Sequence, residues 1–193
     1  MNISMNNPQQ THRIHPHKFT LWMAIASICM MFAGLTSAYI VKRDQDNFLE
    51  FDLPAIFWFS TIVIVLSSVT MHLALKSFKA KERNRFKLFI TITALLGVAF
   101  AAMQTAGFFN LENHGIPLIG YKSNAAASFI LVILGVHALH VLGGVVALVY
   151  LFIKAFSKKV ISYNSTPLEI MSTYWHFVDI LWIYLLIFLI WLR

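Results

Sequence analysis

Apolar residues fill this chain in five long runs, and the polar residues between them are few and clustered. The runs cover about Phe19–Val41, Pro54–Lys76, Leu88–Phe109, Ala126–Lys154 and Glu169–Leu192. Each is near or above the roughly 20 residues that a helix needs to cross a hydrocarbon core. Lipid offers no partner for a backbone N–H or C=O, so such runs are expected as helices. The predicted fold is all-α, a polytopic membrane protein built as a bundle of five transmembrane helices. Residues 1–18 read as a polar, flexible N-terminal tail and 19–193 as the membrane domain. Pro54 suits the first turn of the second helix, where its missing N–H is not needed, and Asp52 is placed to cap it. The connectors are too short for a folded extramembrane domain. An odd number of spans also argues against a simple inverted-repeat transporter.

Composition supports this pattern, with 59% hydrophobic and only 12% charged residues. The net charge of +7 would suit nucleic acid in a soluble chain, but here the basic residues sit between apolar runs. They report topology, and no nucleic-acid partner is expected. Eleven Lys and Arg fall on the side holding the N-terminal tail and the second and fourth connectors, against four on the other. The positive-inside rule then puts the N-terminus in the cytoplasm and the C-terminus in the periplasm, across a bacterial inner membrane. The acidic first connector reads as a solvated loop. Cys29 is the single cysteine and forms no intramolecular disulfide. The first run is too long for a signal-peptide core and lacks a cleavage site after it, so it reads as a retained span. His12, His15 and His17 read as part of a solvated tail ahead of any metal site. Gly97 with Ala101, Ala102 with Ala106, and Gly143 with Ala147 have the spacing of helix-packing pairs. Trp22, Trp58 and Trp191 read as interfacial anchors.

Two polar islands break the apolar pattern. One is Tyr174-Trp175-His176-Phe177-Val178-Asp179-Ile180-Leu181-Trp182 in the last run, and the other is His137-Ala138-Leu139-His140 in the run before it. An aspartate near mid-membrane costs roughly 2.5–3.5 kcal/mol on translocon scales, so a function or a partner is expected to explain it. His137 and His140 share a helix face, as do His176 and Asp179. Three readings are open: a haem or metal site, a proton relay, or a structural hydrogen-bond network. Two histidines three apart need not converge on one ion, and Gln104, His72 and Glu169 form no evident relay. The structural reading is favoured, with His176 and Asp179 paired locally. In it His137 and His140 bond across helices or to lipid head groups.

These islands also carry a resemblance. Gly135-Val136-His137-Ala138-Leu139-His140-Val141-Leu142-Gly143-Gly144 resembles the G-x-H-x-x-H-V-x-x-G element of subunit III of haem–copper terminal oxidases. Trp175-His176-Phe177-Val178-Asp179 with Trp182 resembles that family's W-H-F-V-D-x-x-W element, and Glu169 matches the acidic residue opening the same helix. Phe32, Gly34, Ala38, Tyr39 and Arg43 follow the family's first matched helix. Gly97, Phe100 and Gln104 follow its G-x-x-F-x-x-x-Q spacing. The likeness runs from Phe19 to Arg193 and fits the short, five-helix bacterial form.

The resemblance implies a non-catalytic subunit of a proton-pumping oxidase of aerobic respiration, passing electrons from cytochrome c, or alternatively quinol, to O2. It implies no haem or copper in this chain, with both held by partner subunits I and II. Subunit I is the implied main contact, in a V-shaped arrangement of helices with phospholipid in the cleft. A larger respiratory supercomplex is a further implied partner. His137, His140, Trp175, His176, Asp179, Glu169 and Arg43 are then expected as a structural or lipid-associated polar network, with no catalytic or metal residues. Asp179 is expected to lock helices together. Lys42, Arg43, His140 and His176 are the expected head-group contacts. The sequence departs from the family at Ile28, after Ser27, and at Gly107, where the family commonly has membrane-buried carboxylates. No carboxylate role transfers to those positions. The rival reading is a stand-alone transporter or metal-binding redox protein using the same islands.

Overall fold

A computed structural model describes residues 16–43, 55–113, 125–156 and 165–191, with backbone alone at 43, 108, 111–113 and 125–127. Every regular element among them is a helix: α1 (Pro16–Arg43), α2 (Ile56–Lys79), α3 (Arg83–Asn113), α4 (Ala125–Phe156) and α5 (Thr166–Trp191). All five are long and apolar enough to span a bilayer. The expected positions of Asp52 and Pro54 lie outside the described residues, and Ala55 at the start of α2 makes no side-chain cap.

The helices outrun the apolar segments that announce them. α1 begins at Pro16, ahead of the expected Phe19, and α3 begins at Arg83, ahead of Leu88. Hydropathy marks where apolar side chains stop. The backbone keeps its i→i−4 bonds past that point, and long basic side chains carry their charge outward. The second connector therefore shrinks to Ala80, Lys81 and Glu82. There Glu82 N–H donates to the Ser77 carbonyl and Lys81 N–H to the Phe78 carbonyl, each at 3.0 Å. This is a Schellman turn, with Lys81 at φ 61° in the left-handed place that glycine usually takes. The turn folds α2 and α3 into an antiparallel pair, with Phe78 edge-on to Phe86 at 5.1 Å.

α5 is the centre of the bundle. Half of its apolar window is buried (50%), against 17% for α1. It packs on α1, α2 and α4, while α3 and α4 close the far side and α1 rests on α4 and α5. No Cα of α1 comes within 8 Å of one in α2 among the described residues, so α5 alone floors the space between them. Outward faces carry exposed Met30, Ile62, Leu95, Val146 and Ile187, as expected where the solvent is hydrocarbon. Trp22, Trp58 and Trp191 are exposed near helix ends.

The small-residue pairs divide. Gly97 is buried, but Ala102, Ala106, Gly143 and Ala147 are exposed, and a Cβ on Gly143 would meet nothing within 4 Å. The packed glycine of the Gly143-Gly144 doublet is Gly144. Spacing found the pair, but the rotation of α4 chose its neighbour.

Candidate functional site

Trp175 and Trp182 stand seven residues apart, two turns, on the buried face of α5. A Cβ on Gly97 of α3 would lie 3.0 Å from the Trp175 ring, and one on Gly144 of α4 would also lie 3.0 Å away. The indole is thus held between two bare backbones. Its Nε1–H donates to Ser67 Oγ of α2 at 3.1 Å. One side chain of α5 ties down three other helices. Ser67 in turn belongs to a hydroxyl cluster, with Thr70 donating to the Ser67 carbonyl at 2.9 Å and Thr93 donating to Thr70 Oγ1 at 2.9 Å.

Trp182 repeats the arrangement two turns on. Its Nε1–H donates to Thr61 Oγ1 of α2 at 3.0 Å. Its ring stacks on His137 of α4, with centroids 5.4 Å apart, and meets Phe100 of α3 edge-on at 5.6 Å. An indole is wide enough to fill such an interface, and its one polar atom must find an acceptor when buried. Ser67 and Thr61 are those acceptors.

The histidines and the aspartate are placed differently from the expected local pairing. His176 Nδ1 shares a hydrogen bond with Ser68 Oγ of α2, and the exposed His72 ring lies 6.4 Å from the His176 ring. Asp179 is 3% exposed, and neither carboxyl oxygen has a well-formed hydrogen bond among the described residues. Ser68 is beside it, but that hydroxyl is engaged with His176. A serine hydroxyl donates one bond and accepts others, so Ser68 can serve His176 and Asp179 together.

His137 and His140 do not bond across helices through their rings. His137 is 1% exposed, with neither ring nitrogen partnered among the described residues, and serves as a flat plate between Trp182 and Phe32. His140 Nδ1–H donates to the Val136 carbonyl of its own helix at 2.7 Å. The carbonyl accepts, so the proton sits on Nδ1. The link to α5 runs through backbone, with the Tyr174 hydroxyl donating to the His140 carbonyl at 3.0 Å. No three His, Cys, Asp or Glu among the described residues converge as metal ligands.

Glu169 lies at the opposite level. Its Oε2 receives Lys18 Nζ at 2.7 Å and its Oε1 receives Lys79 Nζ at 2.9 Å. Those bonds bring the starts of α1 and α5 and the end of α2 to one side of the bundle. Arg43 closes α1 at the other end, and its side chain lies outside the described residues. The two departures from the family are also explained. Ile28 packs against the apolar core. A Cβ at Gly107 would come 3.0 Å from the Phe57 ring and 3.2 Å from Ile56, leaving no room for a carboxylate arm.

Sequence reading missed the hydroxyls of α2. Ser60, Ser67 and Ala74 recur every seven residues on its buried face, and Gln104 donates to Ser60 Oγ at 3.0 Å. That small-residue stripe, set beside two tryptophans at the same interval, is the signal that could have found them.

Comparison with known proteins adds names to this geometry. The family model described as "Cytochrome c oxidase subunit III" matches residues 47–193. A protein named "Probable cytochrome c oxidase subunit 3" from Nocardia farcinica is 34% identical over 175 residues, covering 84% of this chain and 80% of the relative. The "Cytochrome bo(3) ubiquinol oxidase subunit 3" of Pseudomonas aeruginosa is 28% identical over 170 residues, covering 86% and 79%. A "Probable quinol oxidase subunit 3" of Staphylococcus haemolyticus is 26% identical over 183 residues, covering 91% and 89%.

Proposed function

Because this chain belongs to the subunit III family of haem–copper oxidases, we propose that it is a non-catalytic subunit of a bacterial terminal oxidase. In that role it braces subunit I and holds phospholipid in the inner membrane. The observation that carries the reading is the use to which the family's motif is put. Trp175, Trp182 and His137 are spent on packing helices together, and His176 and His140 on single hydrogen bonds. None is presented to a common point where a substrate or ion would sit. Redox centres and oxygen chemistry then belong to subunits I and II, and this chain supplies a rigid wall beside them.

Rigidity follows from the physics of the site. In lipid, helices gain nothing from hydrophobic association, so close van der Waals contact and interhelical hydrogen bonds must hold them. Glycine slots around one indole provide the first, and indole N–H to serine or threonine provides the second. A wall of this kind resists the breathing that would loosen a neighbouring catalytic subunit over many turnovers.

The electron donor has a second reading, because the relatives carry both cytochrome c oxidase and quinol oxidase names. The cytochrome c reading is kept first because the family model and the Nocardia relative carry that name.

The test is an affinity purification of the full chain from its own membranes, followed by assay of complexes with and without it. Subunits I and II should co-purify, and their haem spectrum should persist when this chain is stripped. Initial oxidase rate should survive the stripping while the number of turnovers before inactivation falls. Haem bound stoichiometrically to the isolated chain would overturn the proposal. Oxidation of reduced cytochrome c, but not of quinol, by the same preparation decides the donor.

A further inference from the structure

Polar residues recur along one ridge of α5. Glu169, Thr173, His176 and Asp179 follow one another on it at steps of three or four residues. α2 runs antiparallel beside this ridge, since Lys79 pairs with Glu169 while Ser68 meets His176. Its own matching ridge carries Lys79, His72 and Ser68, with Leu75 between. The seam opens at Lys18, Lys79 and Glu169, where a groove of about 280 Å³ has Ser172 and Thr173 in its inner wall. That is room for several waters. A turn deeper come exposed His72 and half-buried His176, with ring centroids 6.4 Å apart. Deeper still, the Ser68 hydroxyl is bonded to His176 Nδ1 and lies beside Asp179. From Glu169 to Asp179 the ridge descends about 15 Å, roughly half of a hydrocarbon core. Asp179 ends the series. Beyond it the buried face of α5 is Trp182, Leu185 and Leu189, and the Tyr184 hydroxyl is turned to Thr36 of α1.

We propose that Asp179 is a proton-binding site, loaded through His72, His176 and Ser68 from the end of the bundle that carries Lys18 and Lys79. This task goes beyond the bracing role and does not depend on it, because every group belongs to this chain. Ionisable side chains within a span mark places where protons move, and they face water or one another. Here they stand in order of burial, from exposed His72 through half-buried His176 to Asp179, whose oxygens have no other well-formed bond. A purely structural bond between His176 and Ser68 needs no second, exposed histidine at that depth. The transfer balances. His72 takes a proton from water and passes it, through one water, to His176 Nε2. His176 then releases its Nδ1 proton to Ser68 Oγ as Ser68 gives its own to the Asp179 carboxylate. One N–H or O–H bond forms for each that breaks, and the carboxyl group ends neutral. Emptying runs through the same groups in reverse, so the site exchanges with one side and conducts nothing across. Toward α5 the other packed helices bring His137, flat on Trp182, and His140, bonded within its own helix. Lys18, Lys79 and Glu169 stay at the mouth.

The experiment is infrared spectroscopy of the full chain, purified with the subunits that accompany it, as H2O is exchanged for D2O. A carboxyl C=O band, assigned by its loss in Asp179→Asn, should appear as pH falls and shift on deuteration. Ser68→Ala and His72→Ala should each slow that shift about a hundredfold, the low end for a positioned proton-transfer group. Free imidazole should restore the rate in His72→Ala but not in Ser68→Ala, a rescue that a structural role would not show. His72 is exposed, so its variant keeps the fold and tests the route even where Ser68→Ala is poorly recovered. If Asp179→Asn removes no carboxyl band at any pH, the site is overturned. Wild-type exchange rates in both variants would overturn the route, as would slowed exchange in His72→Ala that imidazole leaves unchanged. Failure to co-purify with haem-bearing subunits bears on the preceding proposal alone, because the isolated full chain gives the same measurement.

Discussion

At Asp179 the cost of a carboxyl group inside a membrane meets the scarcity of partners there. Its neighbour Ser68 carries a hydroxyl that bonds His176 Nδ1 as well. Removing a hydrogen bond between buried neutral groups costs about 1 kcal/mol, more when the surviving partner is stranded. Ser68→Ala should therefore destabilise the detergent-solubilised chain by about that amount, because it strands His176. Asp179→Asn removes no well-formed bond and should change stability by less than Ser68→Ala does. Thermal unfolding followed by tryptophan fluorescence compares the two directly. A larger loss in Asp179→Asn would make the aspartate, and not the His176–Ser68 bond, the stronger tie between α5 and α2.

Between elements, the decisive contacts are backbone against ring. α3 and α4 approach α5 through Gly97 and Gly144, and the Trp175 indole fills the space between them. A buried ring with backbone close to two different parts of it has little space to step aside for a new methyl group. Overpacking of that sort costs about 1–3 kcal/mol. Gly144→Ala is expected to lower the unfolding midpoint and the yield of folded chain. Gly143→Ala, one residue away on the open face, should leave both unchanged in the isolated chain, since nothing lies within 4 Å of its added carbon. Equal effects from the two substitutions would mean that α4 is rotated from the position described. The Lys18–Glu169–Lys79 cluster ties ends rather than middles. Its partly exposed pairs contribute little stability, roughly 0–1 kcal/mol each. Their value lies in fixing which helix ends are neighbours.

For the whole molecule, that same cluster bears on orientation. It brings the start of α1, the end of α2 and the start of α5 to one side, and ten of the fifteen Lys and Arg lie at or between helix ends of that side from Lys18 to Lys159. By the positive-inside rule this is the side expected to face the cytoplasm. A cysteine introduced at Lys81, in the turn between α2 and α3, should be shielded from a membrane-impermeant thiol reagent in intact cells and react after the membrane is opened. Labelling in intact cells would invert the topology.

Five apolar runs and the absence of any alternative for a backbone in lipid determined the helix count and class from sequence alone. The two ordered motifs determined the family, because Gly135 to Gly144 and Trp175 to Trp182 fix residue type at many positions at once. Helix ends were not legible, since Arg83 and Pro16 continue helices after hydropathy has fallen. Neither were the partners of the polar residues. A motif records that His137, His176 and Asp179 are present, but their bonds depend on the rotation of α2 and α4 about their axes. Only the tertiary structure could give His176 to Ser68, lay His137 on Trp182, and choose Gly144 over Gly143 as the slot for Trp175. The physical reason is that helix periodicity defines faces along one element, whereas which faces meet is settled by packing among all five.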